Sequence, residues 1–353
     1  MHLNKIKLFI IIIIIILNNA LFFKYRNKKR IGVIGLEHSI NIGNNLLKYA
    51  IYIKLNELGY IPYIIGKKKI NQDISFITNH SNVRLINNFS EIKENDFDIL
   101  MVNSDQTWRQ WNKDFYDIAF LRFAENWKIP KFVYAASLGY DHWVFNEEIE
   151  NIARHLLNNF TGISVREKCS VDFIKQHLGF QAQFVLDPTL LISKKYYIDL
   201  IKDYKSEIIN KTNNNNFIFV YVIISSKNVE NYLKYVKEQL NVEIFYITIF
   251  TKNNIKEFLY GIMNSKAIIT DSYHATIFSI IFKKPFITFI NNFNDHSRFN
   301  SLDEIFNIKS RIFDLESNPP ISLLNPPLNI NYTNLILLKK ESLDYMKKNL
   351  NVK

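Results

Sequence analysis

The sequence predicts an α/β protein of two Rossmann-like domains facing a cleft, and three observations carry that reading. From Ile31 onward, short continuous apolar runs alternate with helical periodicity, as expected of a parallel sheet covered on both faces. The alternation stops near Asp187-Pro188 and resumes at Phe217, after a charged, Asn-rich stretch. In between and beyond, polar clusters fall where strands end, the edge of such a sheet that binds ligands. At 353 residues the chain is also too long for one typical core, so two domains are the default.

Taken in order, Ile31–Gly35 reads as a strand, and Asn45–Leu58 as a helix through the spacing of Leu46, Leu47, Ala50, Ile51, Leu55 and Leu58, stopped by Gly59. Tyr60–Ile65, Phe97–Val102, Phe132–Ala136, Thr161–Val165 and Gln183–Leu186 complete a first set of strands. A second set comprises Phe217–Ile223, Val242–Ile249, Ala267–Thr270 and Phe286–Ile290, and Tyr332–Asn349 is a closing helix after a proline-rich stretch. The resulting division is residues 1–30 as a hydrophobic segment with a basic flank, 31–192 as the N-terminal domain, 193–216 as a linker, 217–330 as the C-terminal domain and 331–353 as the closing helix.

Composition narrows the function classes. Cys169 is the only cysteine, so an internal disulfide and a cysteine-based zinc site are excluded, and its place at a helix start reads as a half-buried bystander. The net charge of +11 is spread along the chain without a helix-turn-helix, zinc-finger or RNA-recognition pattern, so no nucleic-acid partner is expected and an acidic ligand or surface is. No metal-ligand cluster is expected either. Leu8–Leu17 is an uninterrupted apolar run that extends to Phe23, short for a bilayer span, which needs about 20 residues. Lys24, Arg26, Lys28, Lys29 and Arg30 follow it, against Lys5 and Lys7 before it. That asymmetry predicts a single-pass anchor through residues 8–23, with the folded domains on the cytoplasmic side.

Polar residues recur at predicted strand ends. His38–Asn45 contains Gly43 for a tight turn and Asn44 as a helix cap. After Val102 come Asn103, Ser104, Asp105, Gln106, Thr107 and Trp108, a set suited to a sugar: carboxylate and amide for hydroxyls, indole for a pyranose face. Ala135–Gly139 is small enough for close backbone approach, and Ile163–Glu167 delivers Arg166, whose fork suits carboxylate or phosphate. Asp271, Ser272 and His274 sit where a strand hands over to a helix, and free N–H groups with the helix dipole favour an anion there. A histidine in that first turn would gain its proton as an anion arrives. Arg298 and Arg311, flanking a short predicted helix, are candidate second cations.

In order along the chain, these segments resemble the polysaccharide pyruvyl transferase family. The resemblance is carried by Asn41–Leu46 with Tyr49-Ala50, Asn103-Ser-Asp-Gln-Thr-Trp108, Tyr134–Gly139, Ser164-Val-Arg-Glu167 with Leu186–Leu191, Thr270-Asp-Ser-Tyr-His274 with Phe278, Pro285 and Phe286, and the span Arg298–Arg311. It covers residues 31–312. Asn103 stands where the family usually has glycine, Ala275 where glycine is common, and Ser272 where some members have arginine. The resemblance implies a GT-B-like fold and transfer of the pyruvyl unit of phosphoenolpyruvate onto two hydroxyls of one sugar, with no cofactor. It implies His274 as the phosphate-side acid or clamp and Asp105 as the base or a sugar ligand. Arg166, Ser272, His274 and Arg298 would hold the donor anions, and Asn44, Ser104, Asp105, Gln106 and Trp108 the acceptor. A nucleotide-sugar glycosyltransferase of the same architecture and a non-catalytic, membrane-anchored glycan-binding protein are the alternatives.

Overall fold

The computed structural model describes residues 28–36, 41–68, 74–109, 114–206, 216–224, 226–251, 254–290, 296–326 and 328–352. Seven strands build the N-terminal half: β1 (Arg30–Ile34), β2 (Ile61–Lys67), β3 (Val83–Ile86), β4 (Ile99–Val102), β5 (Lys131–Val133), β6 (Ile163–Val165) and β7 (Ala182–Phe184). The first five pair in the order β3-β2-β1-β4-β5, all parallel. Isolated bridges from Phe132 to Gly162 and from Ala136 to Val165 carry the β6–β7 pair onto the end of that sheet. Ile99–Val102 are fully buried, as a central parallel strand must be.

The C-terminal half is a second parallel sheet in the order β12-β11-β10-β8-β9, with β8 (Phe217–Tyr221), β9 (Glu243–Ile247), β10 (Ala267–Thr270), β11 (Phe286–Ile290) and β12 (Ile312–Asp314). Both sheets reverse their strand order once, and such a reversal opens a crevice at the carboxyl ends.

Eight helices matter for the site and its frame: α1 (Ile42–Glu57), α2 (Glu147–Leu157), α3 (Lys168–Phe173), α4 (Lys227–Leu240), α5 (Asn254–Asn264), α6 (Tyr273–Ile281), α7 (His296–Phe306) and α8 (Thr333–Leu350). α2 is the clearest amphipath, with Ile149, Ala153, Leu156 and Leu157 buried and Asn146 capping it by accepting from the Ile149 N–H. α1 crosses from its own domain to pack on α5 and α6 of the other. One apolar cluster therefore runs through both halves, from Leu46 and Ala50 to Tyr273, Phe278 and Phe306.

Two expectations are modified by the fold. The stretch read as a linker carries a helix, Lys194–Asp199, whose Tyr197 is fully buried and donates to the Thr189 carbonyl at 2.9 Å. Tyr204 and Ser206 then donate to Glu257 of α5, so the stretch up to Ser206 is tied to the second domain. The closing helix α8 returns to the N-terminal half. Its Tyr345 hydroxyl donates to the Val133 carbonyl at 2.7 Å, and Ser342 Oγ accepts the Leu186 N–H at 2.9 Å. The predicted anchor, residues 8–23, lies outside the described residues. Among those described, no helix is long and apolar enough to cross a membrane.

Candidate active site

α1 starts three residues earlier than the periodicity implies, because Asn41 takes the cap: its Oδ1 accepts the Asn44 N–H at 3.0 Å. Asn44 is thereby released from capping, and its Nδ2 donates to Asp105 Oδ2 at 2.9 Å. Asp105 follows β4 with φ at +86°, a region costly for any side chain other than glycine's and found mostly where function holds it. The strained backbone turns its carboxylate toward Arg166, at the end of β6, whose Nη2 donates to Asp105 Oδ1 at 3.1 Å.

Arg166 is the hub. Its Nη1 donates to Asp187 Oδ2 at 2.8 Å, and its Nε lies 3.5 Å from Glu167 Oε1. The side chain is 1% exposed and its Cζ stacks 4.8 Å from the Tyr273 ring centre. One guanidinium thus faces three carboxyl groups. Burial alone would raise all three pKa values, but the neighbours split them. Arg166, with His274 and Asn44, outweighs burial at Asp105 and holds it down to about 2. At Asp187 the opposing influences are His274, Arg166 and Thr189, and the carboxyl is held well below its ordinary range. Glu167, fully buried with neither oxygen hydrogen-bonded among the described residues, is pushed up by burial despite Arg166.

From the other domain, Ser272 caps α6, accepting the Ala275 N–H at 3.4 Å, and His274 occupies the first turn. The His274 ring reaches across to the N-terminal half. It fills the space where Gly43 would carry a side chain: a Cβ there would fall 2.2 Å from Nδ1. Its Nε2 lies 3.7 Å from Asp187 Oδ2, beyond hydrogen-bond reach, so the pair is an electrostatic contact. Nε2 has no hydrogen-bond partner among the described residues although His274 is 6% exposed. Arg298, on α7, places its Cζ 5.4 Å from the Tyr273 ring centre.

Of the residues singled out in the sequence, Asn44, Asp105, Arg166, His274 and Arg298 converge here. Ser104 and Gln106 line the same strand end, and Ser104 Oγ is buried without a hydrogen-bond partner among the described residues. Four expected roles change. Trp108 is fully buried, donating from Nε1 to the Ala119 carbonyl at 3.0 Å and packing on Phe120, so it presents no face to a sugar. Arg166 points its guanidinium at protein carboxylates and acts as organiser rather than open anion clamp. Asp105 accepts from Asn44, Arg166 and the Gln106 N–H, and a carboxylate so engaged is a weak base. Arg311, too, is structural: its Nη1 donates to the carbonyls of Phe286 and Leu323. Cys169 is half-buried and its thiol is pushed up to about 11 by burial and Glu167, which suits a bystander.

Asp187, Glu167 and Tyr273 are central here and had no role assigned from sequence. Asp187 had a legible signal, an Asp-Pro at a strand's carboxyl end, whereas Glu167 reads as a helix-start salt bridge until its burial is seen.

Solved structures share this architecture across nearly the whole chain. S. aureus MnaA in complex with UDP matches with a TM-score of 0.53 at 14% identity, covering 92% of this chain and 98% of that one. The UDP-GlcNAc 2-epimerase of Neisseria meningitidis bound to UDP-GlcNAc matches with 0.54 at 12%, covering 91% and 100%. The UDP-N-acetylglucosamine 2-epimerase of Rickettsia bellii gives 0.54 at 12%, covering 91% and 96%. At such identities the likeness is one of fold, two parallel α/β sheets of the GT-B type. No curated protein matches the chain in sequence. The polysaccharide pyruvyl transferase family model matches residues 41–292, which takes in Asn44, Asp105, Arg166, Asp187 and His274. That span is most of the chain and both halves of the cleft, and the protein therefore belongs to the polysaccharide pyruvyl transferase family.

Proposed function

We propose that this transferase moves the pyruvyl unit of phosphoenolpyruvate onto two hydroxyls of a sugar in a glycan, forming a cyclic ketal and releasing phosphate. The observation that carries the reading is His274. It stands at the N-terminus of α6, reaches into the opposite domain, and keeps Nε2 unpaired beside Asp187. A helix N-terminus favours the donor phosphate, and the Asp187 carboxylate stands 3.7 Å from Nε2. Arg298 adds positive charge on the same side.

The steps balance. A proton from an enzyme acid, His274 in this reading, goes to the methylene carbon of the donor, leaving cationic character on the central carbon. One sugar hydroxyl adds to that carbon and gives up its proton to the enzyme, restoring the acid. The central carbon–oxygen bond to phosphate then breaks, the second hydroxyl adds, and its proton leaves with the phosphate. Arg166 does not move in this account: it keeps Asp105 and Asp187 charged and aimed, so the cleft is preorganised. Asn44 of α1 and Ser104, Asp105 and Gln106, at the carboxyl end of β4, bind acceptor hydroxyls. Attachment to a membrane through residues 8–23 belongs to the same reading, and partitioning of the full chain against one beginning at Lys28 tests it.

The deciding experiment is phosphate release from phosphoenolpyruvate across galactosyl, mannosyl and N-acetylhexosaminyl acceptors. Acceptor-dependent release that falls at least 100-fold in His274→Ala is the expected result. Thermal stabilisation by a nucleotide sugar and none by phosphoenolpyruvate would overturn it in favour of a glycosyltransferase.

A further inference from the structure

A second pocket lies in the C-terminal domain, between α4 and the loop that follows β12. It has a volume of about 480 Å³, within the size range of small-ligand sites. Asn231 and Tyr235 face it from one side, and Asn318, Pro320 and Ile321 from the other. Residues four apart share a helix face, so the amide and the phenol stand side by side. Tyr235 is 47% exposed, which is unusual for a large aromatic and leaves its ring available.

The pocket is also built. Tyr232 forms part of the lining, 2% exposed, its ring held edge-on to Phe289 at 5.7 Å. The Tyr232 hydroxyl has no hydrogen-bond partner among the described residues. Burial pushes the phenol up in pKa, so it remains a neutral donor. Pro319 and Pro320 fix the facing backbone, so little order has to be imposed on binding. Among the described residues no charged side chain lines the pocket, in a chain whose net charge is +11.

We propose that this pocket is a second carbohydrate subsite, distinct from the interdomain cleft, that holds a neutral glycosyl unit by Tyr235 stacking and by hydrogen bonds from Asn231 and Asn318. Phenol rings match the C–H faces of a pyranose, and primary amides match its hydroxyls, each with few rotors to immobilise. The absence of charge disfavours phosphorylated or acidic ligands. α4 and the 315–320 loop both leave the carboxyl ends of their strands, the same edge that carries Tyr273 and His274. A polymer engaged at this rim would raise the local concentration of its reacting unit in the cleft. The choice of a glycan occupant rests on the family membership and not on the donor chemistry proposed above.

The test is binding of neutral gluco-, galacto- and manno-oligosaccharides to the full chain, by calorimetry and by ligand-observed NMR. Tyr235→Ala is expected to weaken binding of at least one oligosaccharide 10-fold or more, and Tyr235→Trp to preserve it. Phosphate release with a monosaccharide acceptor should not change in either variant, because Tyr235 lies outside the cleft. Should no oligosaccharide bind, or should Tyr235→Ala bind all of them like the wild type, the subsite is refuted. Stronger protection by a proline-rich peptide than by any sugar would refute it equally. Tyr235-dependent sugar binding without phosphate release would leave the subsite standing and remove the proposed transfer.

Discussion

At the scale of single residues, the charge cluster around Arg166 decides both stability and chemistry. Removing the guanidinium strands buried carboxylates, a change that costs about 3–5 kcal/mol in comparable sites. Arg166→Met is therefore expected to lower the unfolding free energy by about that amount and to abolish transfer, read by denaturant titration and phosphate release. The pH response follows from the split pKa values. Asp105 and Asp187 are depressed, so their stabilisation is present above the ordinary carboxylate value of 3.8 and fades as pH falls toward about 2. Glu167 is raised, so its contribution is present while it is protonated and fades as pH rises through its folded pKa. Melting temperature measured against pH should drop on the acid limb, and Asp187→Asn should flatten that limb. Trp108 makes the opposite kind of prediction: Trp108→Phe leaves the Ala119 carbonyl unpaired, costing about 1–3 kcal/mol of stability while KM for the acceptor stays put.

At the scale of elements, the junction of α1 and α6 brings the two domains into register. Gly43 is needed because the His274 ring occupies the volume of its missing side chain. Gly43→Ala should displace His274 and cost about 1–3 kcal/mol through overpacking. Activity should fall far more than stability, which a paired kcat and unfolding measurement would resolve. Much of this was legible beforehand: β10 and β11 have the predicted bounds, and the strand–turn–helix at Ala267–Ile281 pointed to His274. The edge strands β3 and β12 were missed. Val83-Arg-Leu-Ile86 and Ile312-Phe-Asp314 are short and half-exposed, and neither shows the continuous apolar run of a central strand. Trp108 was misjudged for a different reason: sequence shows an indole next to polar residues but not which way it turns.

At the scale of the whole molecule, α8 closes the chain onto its beginning. Tyr345, Ser342 and Asn349 bond to Val133, Leu186 and Thr161 of the N-terminal half. Ending the chain at Tyr332 is thus expected to destabilise the N-terminal sheet as well, with loss of cooperative unfolding. Tyr345→Phe alone should cost about 1 kcal/mol, read from the denaturant midpoint. One apolar cluster shared by both halves is expected to make them unfold together, read as coincident denaturant transitions by probes in each half.

Local information in the sequence was enough for the α/β alternation, the two-sheet plan and the placement of polar residues at strand ends. Those features depend on periodicity and on turn chemistry, which act over a few residues. Only the tertiary structure decided that Asp105, Arg166, Asp187 and His274 form one site, drawn from four strand ends and two domains. It also decided that Trp108 is core, that Arg166 is already occupied, and that burial pushes the Glu167 carboxyl up. Burial and charge pairing set those outcomes, and both depend on distant neighbours, such as Asp105 and His274, 169 positions apart.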